Sequence, residues 1–331
     1  MKKILNSPET YVDEMLEGLC AAHPQYYQQP ESRVIVRTGG TPAGQVGIVT
    51  GGGSGHLPVF TGYVGPGLLS AAAIGNVFAS PSAEKMASAI RHAHGGAGVL
   101  LLYGNYGGDV MNFDMAAEMV GLEDDIATTT VLLADDVCSA PPEQTAKRRG
   151  VAGMVYAFKI AGARAAQGGD LAAVTRAARK AADACRSIGM ALTPCTVPQA
   201  GKPTFVIGED EMEMGMGIHG EPGIWRGPLK AADAIADEMV DRLLADLPLG
   251  KGDCISLMVN SLGATPPEEL YILYRRAKAR FADQGVRIVQ PLVGRYATSM
   301  EMAGASITLC RLDEELEGLL KAPAECAFWR V

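Results

Sequence analysis

Apolar residues recur along the chain with two spacings, and the alternation between them predicts the architecture. Short apolar runs predict strands, whereas apolar residues at every third or fourth position predict amphipathic helices. A first helix is predicted after Ser7-Pro8. Strands are predicted at residues 34–37, 45–50, 99–103 and 129–134, and helices at 81–94, 110–121 and 171–188, the last between Asp170 as N-cap and Gly189 as end signal. Helices of this length between strands favour parallel crossovers, so residues 1–185 are expected to form an α/β domain with a parallel or mixed sheet.

The pattern changes near residue 185. A turn-rich passage occupies residues 193–203, and shorter strands are predicted at residues 205–207, 211–214, 254–260, 286–289 and 305–312. An amphipathic helix among them has one apolar face, formed by Leu270, Leu273, Tyr274, Ala277 and Phe281. These elements predict a second, smaller α+β domain over residues 186–331.

Composition and charge narrow the class of protein. Hydrophobic residues make up 48% and charged residues 20%, which is typical of a packed domain and not of a disordered chain. The net charge is −8 and the longest basic run is Lys147-Arg148-Arg149, so we expect no nucleic-acid partner. Asn6-Ser7-Pro8 interrupts any N-terminal signal, and no apolar run reaches the ~18 residues of a membrane span. The seven cysteines form no CxxC motif and are expected to be reduced thiols in a cytoplasmic protein.

Glycine is frequent, with 40 of 331 residues, and three glycine-rich segments carry candidate chemistry. The first, GGGSGH at residues 51–56, follows the strand that is predicted to end at Thr50. The chain has no P-loop pattern, and His56 stands where a dinucleotide fingerprint needs its third glycine. We predict a tight loop that presents His56 to a small ligand, and a structural turn with an incidental histidine is the alternative.

The second segment ends in Asp109. It follows the strand at residues 99–103 and stands just before the helix predicted at residues 110–121, where an aspartate is an ordinary N-cap. In an open parallel sheet, however, ligands bind outside the carboxyl ends of the strands, and both His56 and Asp109 are predicted to lie there. Asp109 is therefore predicted to be either a helix cap or a functional carboxylate.

The third segment, residues 215–223, contains four glycines around His219. This frame leaves the imidazole open, as a nucleophile or a ligand contact requires. Four other polar residues have simpler interpretations, as helix-end histidines and as turn or cap aspartates: His92, His94, Asp135 and Asp136. Met212, Met214 and Met216 are expected to pack in the core, and no metal site is predicted.

A series of short motifs extends in a fixed order over nearly the whole chain. They are GGGSGH (51–56), GYVG (62–65), VFASPS (77–82), NYGGD (105–109), RGVAG (149–153), AGKPTF (200–205), GIHGEPG (217–223) and LGATP (262–266). In this combination the chain closely resembles the substrate-binding subunit of dihydroxyacetone kinases, and the motif around His219 is highly specific.

The resemblance implies a mechanism. An imidazole nitrogen of His219 would add to the ketone carbon of a short ketose and hold it as a hemiaminal. His56 and Asp109 would move the proton of the terminal hydroxyl that receives phosphate. The substrate-binding residues implied in this way are Gly53, Ser54, Gly55, His56, Ser80, Gly104, Asp109 and His219.

Two departures from the family pattern bear on the substrate. Gly104 stands where many relatives have a lysine, which is expected to enlarge the pocket and to remove a cation. The run Leu57-Pro58-Val59-Phe60 also differs from that of dihydroxyacetone-specific relatives. Both differences resemble the branch that acts on the four-carbon ketose erythrulose, so dihydroxyacetone and erythrulose both remain candidates.

The resemblance also implies partners. This chain is expected to bind no nucleotide by itself, and ATP or ADP with magnesium is expected on a separate helical kinase subunit. That subunit would use ATP as donor or be recharged by a phosphotransferase phosphocarrier. A homodimer of this chain is expected, and the alternative function is a non-catalytic ketose sensor or regulatory paralogue.

Overall fold

The structure of the protein is a computed structural model, which describes residues 2–331. The α-helices in this range are α1 (Tyr11–Ala22), α2 (Ala83–Ala93), α3 (Gly107–Asp124), α4 (Gly153–Ala166), α5 (Leu171–Ala184), α6 (Ala232–Asp246), α7 (Pro267–Asp283) and α8 (Glu314–Lys321). The strands are β1 (Tyr27–Glu31), β2 (Val34–Arg37), β3 (Gly47–Ser54), β4 (Ala71–Val77), β5 (Val99–Gly104), β6 (Thr128–Leu133), β7 (Cys185–Ala191), β8 (Glu211–Met214), β9 (Trp225–Pro228), β10 (Cys254–Ser261), β11 (Arg287–Ile288), β12 (Leu292–Gly294) and β13 (Gly304–Leu312).

The strands form two sheets. The first has the order β1-β2-β4-β3-β5-β6, in which β4, β3, β5 and β6 are parallel and β2 pairs antiparallel with both β4 and the edge strand β1. The second has the order β11-β10-β13-β7-β8-β9, with β12 also beside β10. It is antiparallel except for β11 and β12, which run parallel to β10. The expected α/β class, with a mixed first sheet followed by an α+β part, is confirmed.

Helices and sheets alternate as layers because successive strand residues point to opposite faces. In β5, Leu101 packs with α2 and α3, whereas Leu100 and Leu102 face the cluster that contains α4 and α5. Helices α4 and α5 also contact the second sheet, whose opposite face is covered by α6 and α7. The two helices between the sheets therefore belong to one continuous apolar core.

Most predicted elements are present. The strands predicted at residues 34–37, 99–103, 129–134, 211–214, 254–260 and 305–312 correspond to β2, β5, β6, β8, β10 and β13. The predicted helix face of α7 is confirmed, since four of its five residues are buried in the second core cluster and Tyr274 packs against it. Asp170 caps α5 as predicted, because its side chain accepts a hydrogen bond from the Ala173 amide.

The helix predicted at residues 171–188 is too long. It ends at Ala184, and the chain continues directly into β7, which pairs with β13 from Cys185 onward. Pairing in the centre of a sheet outweighs the local helical pattern. Gly189 is consequently not a helix end; a Cβ there would lie 2.7 Å from the Met216 carbonyl oxygen, so the glycine permits a close approach of two backbones.

Other elements differ from the sequence pattern. Residues 205–207 form no strand, because no neighbouring strand pairs with them. Helix α4 was not predicted: nearly all its residues are buried between the two sheets, so it has no polar face to give a periodic pattern. Strand β4 was also not predicted, because its Ala71-Ala72-Ala73 start is not typical of strands.

The division into domains 1–185 and 186–331 stays a prediction. The second sheet begins at Cys185, but the C-terminal segment returns to the first half of the chain, where the Glu325 amide donates to the Pro66 carbonyl. Within residues 2–331, no helix is long and apolar enough to cross a bilayer. The seven cysteines are free thiols, five of them buried.

Candidate functional site

The glycine-rich segment at residues 51–56 is not the loop that was predicted. Strand β3 continues through Ser54 and pairs with β4 along the glycines. The turn comes at Gly55, whose φ of 102° favours glycine. A Cβ at Gly55 would also lie 2.7 Å from Cε1 of Phe78. The glycines therefore let an aromatic ring close over the end of the strand, and His56 follows immediately after it.

Parallel strands bring three segments to one sheet edge. Strand β3 lies between β4 and β5 and runs parallel to both, so the carboxyl ends of the three strands are adjacent. His56 follows β3, Ser80 follows β4 and Asp109 follows β5. As predicted, His56 and Asp109 both lie at the carboxyl edge of the sheet.

His56 is fully buried, and its tautomer is set by one hydrogen bond. Nδ1 lies 2.7 Å from the Thr298 carbonyl oxygen, which can only accept, so Nδ1 carries the proton and Nε2 the lone pair. The ring stacks on Phe78 at a centroid distance of 4.9 Å. Burial, reinforced by His219, lowers the pKa of His56 to about 3, against the opposing effect of Thr298 and Glu221. His56 is therefore a neutral hydrogen-bond acceptor at neutral pH.

Asp109 is not a helix cap. Helix α3 begins at Gly107, so Asp109 lies inside its first turn, and its carboxyl group is buried. Burial raises the pKa of Asp109 to about 6, although the Ser80 hydroxyl and His219 both act to lower it. A carboxyl group that titrates this close to neutrality can accept a proton and release it again, as a general base must.

His219 reaches this edge from the second sheet. It lies in the loop after β8, and its side chain is 23% exposed, which leaves it accessible to a ligand. Its ring centroid lies 4.7 Å from that of His56, 5.3 Å from Phe78 and 4.8 Å from Tyr106, each edge-to-face. The structure thus brings His56, Asp109 and His219 into one site, since His219 contacts His56 and its charge acts on Asp109.

Glu221 binds His219 through both carboxylate oxygens. Oε1 lies 2.9 Å from the ring Nδ1 of His219, and Oε2 accepts the His219 backbone N–H at 2.9 Å. Although burial acts to raise it, the pKa of Glu221 falls to about 2 because of His219 and the Arg149 guanidinium. The ionised carboxylate can only accept, so Nδ1 donates this hydrogen bond, whereas Nε2 makes no hydrogen bond within residues 2–331.

Three buried polar atoms around His219 have no hydrogen-bond partner within residues 2–331. They are His56 Nε2, Tyr106 Oη and Asp109 Oδ1. Buried polar atoms are normally paired, because an unpaired one costs about 1–3 kcal/mol. Their concentration at the site is the arrangement expected where a small ligand with several hydroxyl groups would supply the missing partners.

The remaining predicted substrate residues line the same edge in different ways. Gly53 packs against backbone, since a Cβ there would lie 2.6 Å from the Ala79 amide nitrogen. Ser54 is buried at the end of β3, and its carbonyl accepts the Phe78 N–H. Ser80 lies beside the start of α3, where its hydroxyl would be 2.6 Å from a Cβ on Gly108. Direct contact of these residues with a substrate stays a prediction.

Gly104 faces other residues and not open space. It is the last residue of β5, and a Cβ there would lie 3.1 Å from Cε2 of Tyr106 and 3.2 Å from the Gly150 carbonyl oxygen. The larger pocket expected from a glycine at this position is therefore occupied by the Tyr106 ring, which packs against His219. Gly104 therefore lies against Tyr106, the neighbour of His219.

The residues given simple interpretations have structural roles. His92 and His94 lie at the end of α2. Asp135 accepts the backbone N–H groups of Val151 and Gly153, and Asp136 pairs with Arg149. The three methionines are buried. No group of three or more His, Cys, Asp or Glu side chains in residues 2–331 is arranged to hold a metal ion.

Three neighbours of His219 received no role from the sequence: Phe78, Tyr106 and Glu221. Phe78 and Tyr106 meet His219 only through the fold, so no local pattern could reveal them. Glu221 did carry a signal, because a carboxylate two residues from a histidine in a glycine-rich turn can reach its ring.

Comparison with known proteins decides the family. A family model described as the Dak1 domain matches residues 17–328. The chain belongs to the Dak1 domain family. The resemblance noted from the sequence motifs is thereby confirmed.

Individual members of the Dak1 family differ in length. The dihydroxyacetone-binding subunit DhaK of PTS-dependent dihydroxyacetone kinase 2 from Listeria innocua is 45% identical, and the alignment covers 100% of both chains. The L-erythrulose kinase of Pectobacterium atrosepticum is also 45% identical over 100% of this chain, which spans 56% of that enzyme. A solved structure of the dihydroxyacetone kinase operon co-activator Dha-DhaQ superposes with a TM-score of 0.88 at 33% identity, covering 96% of this chain and 97% of the other.

Proposed function

We propose that this protein is the ketose-binding, catalytic subunit of a dihydroxyacetone-type kinase. The observation that carries the proposal is the constellation around His219: an imidazole with Nδ1 engaged and Nε2 free, beside a buried neutral histidine and a carboxyl group that titrates near neutrality. A covalent anchor on His219 selects a ketone over a polyol, because only a carbonyl carbon accepts the nitrogen lone pair.

The anchoring step begins with Nε2 of His219. Its lone pair forms a bond to the ketone carbon, and the π electrons of the carbonyl group move to the oxygen, which takes a proton from solvent water. Nδ1 keeps its proton, so the ring becomes a positively charged imidazolium within a hemiaminal. The carboxylate of Glu221, 2.9 Å from Nδ1, faces that charge.

Phosphoryl transfer follows on the anchored ketose. The terminal hydroxyl gives its proton to Asp109, and its oxygen forms a bond to the terminal phosphorus of the nucleotide as the bond to the leaving phosphate oxygen breaks. His56 Nε2 accepts a hydrogen bond from a substrate hydroxyl and so holds the sugar in place. Its low pKa prevents it from retaining the proton, so Asp109 is assigned the role of general base.

The proposed substrate is a short ketose. Dihydroxyacetone is supported by the relative from Listeria innocua and erythrulose by the relative from Pectobacterium atrosepticum, which are equally similar to this chain. Because Gly104 stands at the lysine position of many relatives, we propose that erythrulose is used at least as well as dihydroxyacetone. The effect acts through Tyr106, whose ring a longer side chain at position 104 would displace.

The phosphate donor is proposed to be a partner. ATP or ADP with magnesium would be carried by a helical nucleotide-binding subunit, directly or after recharging by a phosphotransferase phosphocarrier, as the PTS-dependent relative suggests. A homodimer of this chain and a location in the cytoplasm complete the proposal.

A phosphate-transfer assay tests this function. The chain is mixed with a nucleotide-loaded partner subunit from a Dak1-type kinase and with dihydroxyacetone, erythrulose or glycerol. We expect phosphorylation of both ketoses, with kcat/KM for erythrulose equal to or above that for dihydroxyacetone, and none of glycerol, which has no carbonyl. A tenfold preference for dihydroxyacetone, worth ~1.4 kcal/mol, would contradict the substrate assignment.

The Dha-DhaQ co-activator favours a second function. It shares the fold at 33% identity over nearly the whole chain, so the fold is compatible with a regulator as well as an enzyme. A regulator would bind ketose without turnover. Ketose binding in the same assay with no phosphate transfer from any partner subunit would support this alternative.

A further inference from the structure

We propose that Glu221 is a positioning residue that makes His219 nucleophilic. It fixes the ring tautomer with the proton on Nδ1 and holds a negative charge where the ring becomes positive. The inference rests on the proposed function, since it concerns the same covalent anchor. It assigns to Glu221 a role in the chemistry that is separate from folding of the loop.

The two oxygens of Glu221 have different tasks. Oε2 accepts the backbone N–H of His219, which fixes the side chain of Glu221 relative to the turn. Oε1 is then held 2.9 Å from Nδ1 of the ring. Because one carboxylate binds both the backbone and the ring of the same residue, the ring is oriented by its own loop and needs no ligand to order it.

Arg149 and Asp136 keep Glu221 charged and in place. Arg149 Nη1 lies 3.8 Å from Glu221 Oε2, and the same guanidinium pairs with the buried Asp136 at 2.8 Å. Arg149 also donates weakly to the Gly215 carbonyl at the start of the loop. The guanidinium is therefore anchored to the first half of the chain, and it joins the His219 loop to that half.

Gly217 lies directly against the side chains of Glu221 and Arg149, which leaves no space for a side chain at this position. A Cβ there would lie 2.2 Å from Glu221 Oε2 and 2.7 Å from Arg149 Nη1. The backbone closes around the same atoms, since the Gly217 N–H donates to the Glu221 carbonyl and the Gly220 N–H to the Gly217 carbonyl. The motif Gly217–Glu221 thus forms a compact turn whose centre is the carboxylate.

Replacing Glu221 by glutamine separates positioning from folding. The glutamine oxygen must still accept the His219 backbone N–H, so its NH2 group turns toward Nδ1, which can then only accept. The ring proton moves to Nε2, and the lone pair needed for addition to the ketone is lost. A wrong histidine tautomer of this kind costs up to about 10⁴-fold in turnover in other enzymes.

The test uses the full chain with 15N-labelled histidine. In the unaltered protein, the ring 15N resonances of His219, assigned with His219→Ala, are expected to show a protonated Nδ1 and a bare Nε2. Glu221→Gln is expected to invert this pattern, to weaken adduct formation with dihydroxyacetone at least tenfold, and to lower turnover with a partner subunit. Glu211→Gln is the matched control. The carboxylate of Glu211 accepts a hydrogen bond only from the Gly208 N–H, just before β8, so this variant should leave all three readouts unchanged.

Each outcome decides a different claim. If the unaltered protein forms no adduct with any ketose, the proposed function itself fails. If it forms the adduct and Glu221→Gln forms it equally well with the same tautomer, the positioning role is wrong and the proposed function stands. If Glu221→Gln does not fold, the spectrum of the unaltered protein still decides, since a proton on Nε2 would overturn the inference.

Discussion

Burial gives the two acid–base residues of the site different abilities. The pKa of His56 falls to about 3 because the ring is buried next to His219, whereas burial raises the pKa of Asp109 to about 6. At neutral pH the first is a neutral acceptor and the second an ionised base. The proton of the substrate hydroxyl is therefore expected to pass to Asp109.

The pH dependence of turnover tests this division. Asp109 accepts a proton only when ionised, so kcat/KM should rise as the pH increases through about 6 and level off above it. In Asp109→Asn, turnover at pH 7.5 should fall by about 10²–10⁴-fold, the usual contribution of a general base, and the rise near pH 6 should disappear. A variant that retains that rise would assign it to another group.

The stability of the folded protein should change with pH in the direction opposite to turnover. Because the fold raises the pKa of Asp109 from 3.8 to about 6, the folded state binds the proton more tightly than the unfolded state. The contribution of this group to stability is present below pH 4, falls as the pH rises through 4–6 and is lost above 6. At pH 7 the folded protein holds a buried ionised carboxylate at this position, which asparagine replaces by a neutral group. The free energy of unfolding of Asp109→Asn at pH 7 should therefore not fall below that of the unaltered protein.

The residue types of the site were largely predictable, but their partners were not. His56, Asp109 and His219 stand out because each follows a strand in a glycine-rich segment. Phe78 and Tyr106 pack against His219 across the two halves of the chain, and such contacts leave no trace in local spacing. The role of Asp109 was open in the sequence because the start of α3 lies three residues earlier than its pattern suggests.

At the scale of single elements, strand β3 shows why its glycines are needed. A Cβ on Gly52 would lie 2.3 Å from two ring atoms of Phe60, which is itself buried. Sequence spacing indicated a loop here, because consecutive glycines are typical of loops. These glycines pair with β4, and the Phe60 ring packs closely against Gly52; the sequence pattern reveals neither contact.

Substitution by alanine tests that packing. Gly52→Ala should lower the free energy of unfolding by about 1–3 kcal/mol, the usual cost of overpacking a rigid core. Gly121→Ala is the control: this glycine is exposed in α3 with no atom within 4 Å of a Cβ, so the variant should gain up to ~1 kcal/mol. Both values come from urea unfolding. Equal stability of the two variants would contradict the close approach of Phe60 to β3.

The boundary between α5 and β7 shows a second limit of local pattern. Residues 171–184 are helical and capped as predicted, but the chain enters a strand at Cys185 without an intervening turn. The helical spacing continues past that point, and only the pairing of β7 with β13 ends the helix. The start of α5 was therefore predicted well, because a neighbouring residue caps it. Its end was predicted poorly, because pairing with a strand distant in sequence determines it.

For the whole molecule, the site depends on both sheets. His56 and Asp109 come from the edge of the first sheet, and the His219 loop comes from the second. A segment between β12 and β13 joins the halves, since the Met300 N–H donates to the Gly55 carbonyl at 2.7 Å and Thr298 fixes the His56 ring. The sequence predicted an α/β part followed by an α+β part, but not that the side chains of the candidate site would come from both.

The central claim is that Nε2 of His219 forms a covalent bond to the ketone carbon. Dihydroxyacetone labelled with 13C at its carbonyl carbon, bound to protein labelled with 15N in its histidines, tests this claim directly. We expect a tetrahedral 13C resonance with one-bond coupling to a single histidine nitrogen, present in the unaltered protein and absent in His219→Ala. A bound ligand whose labelled carbon shows no coupling to nitrogen, or an adduct that persists in His219→Ala, would contradict it.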